Sequence, residues 1–139
     1  MTPEVAILAR HRLAMAREAL RDADYLIERN ADRGAVNRLY YAAFHAARAL
    51  LATRHLDSAR HSGVIALFQR EFVKPGLIDA EVSRGLPRSF ETRLEVDYGD
   101  YAEVTSRDTE RIRASTVAFL DACEDLLNRL LAGPEPKEE

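Results

Sequence analysis

A chain of 139 residues, 47% apolar and 31% charged, is one domain with a core of its own and is too apolar for disorder. A formal charge of -3 gives it no global positive field to draw it onto nucleic acid, and no window approaches the roughly 18 uninterrupted apolar residues of a membrane span. Cys123, the single cysteine, rules out an internal disulfide and fits a reducing cytoplasm, and Met1-Thr2-Pro3-Glu4 has neither the basic region nor the apolar core of a secretory signal.

Thr2-Pro3-Glu4 reads as a helix start: a hydroxyl cap, proline at the first helical position and an acid in the first turn. Ala6, Ala9, Leu13, Ala16, Leu20, Ala23 and Ile27 follow at steps of three and four, which predicts a long amphipathic helix to about Glu28. His11, between Arg10 and Arg12, falls off that seam and reads as a solvated surface residue. Asn30 to Gly34 is a short break, so the next helix must be an antiparallel neighbour.

That second helix, from Asp32 or Gly34 to Thr53, is the stretch around which the chain is organised. It is rich in Ala, Leu and Arg and has no proline. Val36, Tyr40, Ala43, Ala47 and Leu50 form an apolar stripe, while Arg38, Tyr41, His45 and Arg48 form a polar one. Arg38 and His45 lie almost two turns apart on one face with Tyr41 between them. Such a trio can hold an anion, with arginine as the fork, histidine as donor or proton carrier and tyrosine as hydrogen bonder. The alternative is structural, with Arg38 paired to an acid of a neighbouring helix and His45 half-buried.

Past a polar stretch from Arg54 to Arg60, His61-Ser62-Gly63 opens a third helix with Ser62 as its expected cap and Val64, Leu67, Phe68 and Phe72 as its apolar face. Backbone N–H groups and the imidazole of His61 make that start a generic anion site. Lys74-Pro75-Gly76 ends the helix. Asp79 caps a fourth, in which Ala80, Val82, Leu86, Phe90 and Leu94 face inward and Pro87 kinks or splits the run. It closes on Arg93-x3-Asp97-Tyr98-Gly99-Asp100-Tyr101, where carboxylates at a helix C-terminus oppose the macrodipole. Arg93 and Asp97, four apart, can pair on one helix face, and the specific partner expected for Asp97 is Arg38 or Arg48. Thr105 to Asp108 reads as a capping box for a last helix reaching Ala132, with Ile112, Thr116, Phe119, Cys123, Leu126 and Leu130 as its seam. Gly133-Pro134 stops it, and Glu135 to Glu139 is a charged, frayed tail. The expected architecture is all-α: an antiparallel up-and-down bundle of four long helices plus a shorter fifth, spanning 1–132, with a tail at 133–139. No metal-ligand spacing, glycine-rich phosphate loop or nucleophile elbow is present, so no metal or cofactor is expected.

Three phrases occur together and in order: Ala35 to Leu51, His61-Ser62-Gly63-Val64, and Arg93-x3-Asp97-Tyr98. That combination resembles the HEPN domain family, in its small stand-alone prokaryotic branch, over roughly residues 8 to 130. The resemblance implies a helical bundle that forms a homodimer, and a minimal nucleotidyltransferase as partner in modules similar to toxin–antitoxin systems. It also implies contact with nucleotide or RNA. Many members of the family are metal-independent ribonucleases with an Arg-x(4–6)-His motif late in the domain. Here the late arginine is Arg93 and no histidine follows it; Arg38-x6-His45 meets the count but lies in the second helix. The expectations are thus a nucleotidyltransferase partner that binds nucleotide or RNA, an endoribonuclease toxin using Arg38 and His45, or a helical scaffold without ligand. The candidate site comprises Arg38 and His45, with Tyr41, Arg48, His61, Ser62, Arg93, Asp97 and Tyr98 as ligand-binding groups. Arg38, His45, Asp97 and Tyr98 are expected to converge.

Overall fold

The computed structural model describes residues 1–99 and 103–133, and among them there is helix and no strand. The elements are α1 (Pro3–Glu28), α2 (Asp32–Ala52), α3 (His61–Phe68), α4 (Ala80–Ser83), α5 (Gly85–Tyr98) and α6 (Ser106–Ala132). The bundle is all-α as the sequence predicts. Asp100 and Tyr101 of the fourth-helix phrase, and the tail beyond Gly133, lie outside the described residues.

Helix α2 is the middle of the bundle and touches α1, α3, α5 and α6. Twelve of its 21 residues are buried and seven of those are alanine, so several helices can approach one backbone closely. The predicted stripe Val36, Tyr40, Ala43, Ala47 and Leu50 is fully inaccessible. Phe68, Phe72 and Phe119 close the core between α3 and α6, with Phe68 centred 5.3 Å from each of the other two rings. Truncating one such ring costs about 3–5 kcal/mol.

The ends are set by local chemistry. Thr2 Oγ1 accepts from Val5 N, and Thr105 and Asp108 make the reciprocal capping box. The α1–α2 turn is a Schellman arrangement: Ala31 N donates to Leu26 O and Asn30 N to Ile27 O, with Asn30 left-handed at φ 58°. His55 does the same after α2, at φ 57°, with Leu56 N on Leu51 O and His55 N on Ala52 O. Asp79 caps the one-turn α4 through Glu81 N and Val82 N, and the expected split at Pro87 falls just before it, at Arg84.

Two details depart from expectation. Ser62 does not cap α3: the helix begins at His61 with Arg60 in the cap position, and Ser58 Oγ accepts from Arg60 N in the turn before it. A serine inside the first turn has no free N–H ahead of it to accept from. After Phe68 the backbone widens into a π-helical turn, Gln69–Val73, before Gly76 at φ 84° stops it.

Candidate functional site

The fold-back at Asn30 decides what the polar row of α2 faces. In an antiparallel pair turning near residue 30, positions adding to about 60 lie opposite one another. Asp22 thus stands across from Arg38, and Glu18 and Met15 across from Tyr41 and His45, with no ion pair between the two helices there among the described residues. A recess of about 310 Å³ opens there, lined by Met15, Glu18, Ala19 and Asp22 of α1 and by Arg38, Tyr41 and His45 of α2.

On the α2 wall, Arg38 donates from Nε and Nη2 to Asn37 Oδ1, at 3.2 and 2.8 Å, and pairs with no carboxylate among the described residues. Its guanidinium carbon stands 5.2 Å from the Tyr41 ring centre. The Tyr41 ring stacks towards His45 at 6.1 Å and 29°. His45 Nδ1 is buried with no hydrogen-bond partner. Burial lowers the His45 pKa, and the charges of Arg48, Arg12, Arg38 and His11 lower it further, so the ring is neutral at pH 7. On the α1 wall, Glu18 and Asp22 are exposed and carry no ion pair or hydrogen bond among the described residues. The recess therefore has an acidic side and a cationic, imidazole-bearing side.

Arg48 leaves the row. Its Nε and Nη2 donate to Asp57 Oδ1 and Oδ2 at 3.0 and 2.7 Å, and Arg12 adds a third bond to Asp57 at 3.3 Å while also donating to Arg48 O. The hydrogen bond from Arg48 holds the Asp57 carboxyl down at about 2. This cluster ties the loop after α2 to α1 and leaves Arg48 engaged.

Arg93 and Asp97 pair with each other, Nε to Oδ2 at 3.2 Å, so Asp97 takes neither Arg38 nor Arg48. Four residues on along the same helix, Asp97 falls on the same face as that guanidinium. Arg93 lies over two rings of α2, 5.0 Å from the centre of Tyr40 and 5.7 Å from that of Tyr41. Of the four residues expected to converge, Arg38 and His45 line the recess, and Asp97 and Tyr98 are not among the residues that line it. The recorded ring neighbours of His45 are Tyr41 and Phe44, and Tyr98 is 76% exposed. Tyr41 joins the two groups instead. His61 is likewise turned inward: its Nδ1 is hydrogen-bonded to the Tyr40 hydroxyl, and its ring meets Phe44 at 4.9 Å and Phe90 at 5.7 Å. Burial, then Arg93, lowers its pKa. Ser62 is exposed beside it.

Sequence reasoning missed the α1 wall. Glu18 and Asp22 are ordinary surface acids by pattern, and only the residue sum across the turn at Asn30 points to them.

The HEPN domain profile matches residues 9–126, most of the chain. The chain belongs to the HEPN domain family. A UPF0332 protein of Thermotoga maritima is 41% identical to it over 115 residues, covering 83% of this chain and 87% of that protein. A Methanocaldococcus jannaschii protein named "putative toxin" is 35% identical over 119 residues, covering 86% and 88%. A UPF0332 protein of Archaeoglobus fulgidus is 32% identical over 118 residues, covering 85% and 94%. The HEPN match accounts for the three phrases occurring together, and the structure shows how two of them meet, with Arg93 of α5 lying on Tyr41 of α2. Among the described residues no helix is long and apolar enough to cross a membrane, and no three His, Cys, Asp or Glu side chains are grouped to hold a metal ion.

Proposed function

We propose that this HEPN protein is the dimeric partner of a minimal nucleotidyltransferase in a toxin–antitoxin-like module, and that it binds nucleotide or RNA phosphate in the α1–α2 recess. The observation that carries the reading is Arg38. It is a guanidinium beside a recess, held among the described residues only by a neutral amide and a ring face, and it retains donors for a phosphate. Names of relatives that carry the word toxin support the module, and the HEPN match supports the nucleotide class.

A second reading has one observation in its favour. His45 shares the recess with Arg38 and is neutral, so it can accept a proton from a ribose 2′-hydroxyl while Arg38 stabilises the phosphorane charge. That chemistry is metal-independent RNA cleavage. One experiment separates the two. The chain is expressed alone, and growth arrest and RNA cleavage without metal are scored beside His45→Ala. Arrest relieved by His45→Ala selects the ribonuclease. No cleavage, with a stable complex formed with a co-expressed minimal nucleotidyltransferase encoded beside it, selects the partner protein. Arrest that persists in both Arg38→Ala and His45→Ala refutes any role for the recess.

A further inference from the structure

The recess is bipolar, and among the described residues its acidic side has no cation. Glu18 and Asp22 lie one turn apart on α1, with neither ion pair nor hydrogen bond among the described residues, although arginines abound in the chain. Opposite them, among the described residues, Arg38 has no carboxylate and His45 Nδ1 is buried without a partner. Arg38 therefore makes the α2 side of the recess cationic, and Glu18 and Asp22 make the α1 wall anionic. A bare phosphate suits only one of these ends. A volume of about 310 Å³ lies at the lower limit of ligand pockets, room for one nucleotide-sized group. Packed helices stand about 8–10 Å apart, so a ligand spanning α1 and α2 presents different chemistry at its two ends.

Resting on the reading of this recess as a nucleotide site, we infer that it selects guanine, with the phosphate at Arg38 and the base edge against Glu18 and Asp22. A carboxylate only accepts hydrogen bonds, and its two oxygens accept side by side. Guanine alone among the four bases sets two donors next to each other on its Watson–Crick edge, N1–H and N2–H₂. Adenine and cytosine place a ring-nitrogen acceptor beside their amino group, and uracil flanks its single N–H with two carbonyls. Each of those three aims a lone pair at the carboxylate. The carboxylates also turn away nucleotides that offer only phosphate, because nothing then offsets the repulsion between two anionic groups.

The test measures binding of GMP, AMP, CMP and UMP by calorimetry at low salt to the full chain and to Arg38→Ala and the double variant Glu18→Gln/Asp22→Asn. Short single-stranded RNAs with or without a single guanine are measured alongside. All the substituted residues sit on the recess wall and away from the core, and circular dichroism checks that each variant is folded. GMP is expected to bind at least about tenfold tighter than the others, the discrimination of one bidentate base contact. The double variant should lose that preference, binding GMP more weakly and AMP at least as tightly as the unchanged protein does once the repulsion is gone, and Arg38→Ala should weaken all four. Preference in the guanine-bearing RNA but not in GMP assigns the edge to a nucleotide within a chain, and still supports the inference. Equal affinities that all fall in Arg38→Ala overturn guanine selection and leave the recess as a phosphate site. Absence of binding by nucleotide and RNA overturns both.

Discussion

Replacing Tyr40 by phenylalanine tests what His61 does. The Tyr40 ring is fully buried, packed against Tyr41, Phe44, Phe90 and His61, and Tyr40→Phe keeps all of those contacts. It removes only the hydroxyl bonded to His61 Nδ1. No cavity forms, so the cost is that of one half-buried hydrogen bond, about 1 kcal/mol. For a chain of this size that is about 3–5 °C in Tm. His61→Ala loses the same bond and the ring contacts with Phe44 and Phe90, and leaves the phenol buried and unpaired, about 2–3 kcal/mol. The two losses share one bond, so Tyr40→Phe/His61→Ala should cost about 1 kcal/mol less than the sum of the single substitutions. Urea titration of the four proteins measures this, with a common slope required for the comparison. Nucleotide or RNA binding should not change in Tyr40→Phe. The reasoning is refuted if His61→Ala leaves the midpoint unchanged while abolishing ligand binding, because His61 then serves the ligand and not the fold.

Asp57→Asn frees Arg12 and Arg48; because Asp57 is well exposed, screening holds the stability cost below about 1 kcal/mol. RNA affinity should rise, with a salt slope steeper by about 0.7 per freed arginine, read from filter binding at several ionic strengths. Gly85→Ala should destabilise by about 1 kcal/mol in thermal melts, since a Cβ there meets Ser115 O at 2.8 Å and Phe119 Cβ at 3.0 Å, and neither atom can move without its helix. Stability should fall as pH drops below about 6.5, because His45 and His61 both have lowered pKa values and the unfolded chain takes up protons that the fold refuses; urea midpoints between pH 5 and 8 check this, and a flat profile contradicts it.

Most of the architecture follows from periodicity and punctuation. The seam of α6, the apolar stripe of α2, the caps at Thr2 and Thr105 and the break at Asn30 all arise from local chemistry that a single chain displays. The site is harder, because a polar row on a helix does not say which neighbour covers it. Arg38, Tyr41 and His45 share a recess as the spacing implies, yet their opposite wall is α1 and not the end of α5. Asp97 satisfies the need for a cation through Arg93 on its own helix, the cheaper of the pairings open to it. His61 reads as a solvent-facing helix start until the aromatic cluster of Tyr40, Phe44 and Phe90 is seen to absorb it. The π-helical turn after Phe68 has no sequence signal that we can identify.

The two halves of the polar row have different fates, and the difference bears on function. Arg48 is bound by Asp57 in a bidentate pair, and Arg12 is drawn into the same cluster, so the lower part of the row holds the loop after α2 in place. Arg38 is spared, since its nearest acceptor is the uncharged Asn37. Tyr41 lies between these regimes, within 5.2 Å of Arg38, 5.7 Å of Arg93 and 6.1 Å of His45 measured between group centres. Arg93 of α5 and Arg38 of α2 thus rest on the same Tyr41 ring. The Arg93–Asp97 pair need not touch a ligand to matter to one. Asp97 holds Arg93 by charge at 3.2 Å, although Arg93 Nε makes no hydrogen bond among the described residues, and Arg93→Gln should weaken nucleotide binding less than Arg38→Ala does, with Asp97→Asn milder still.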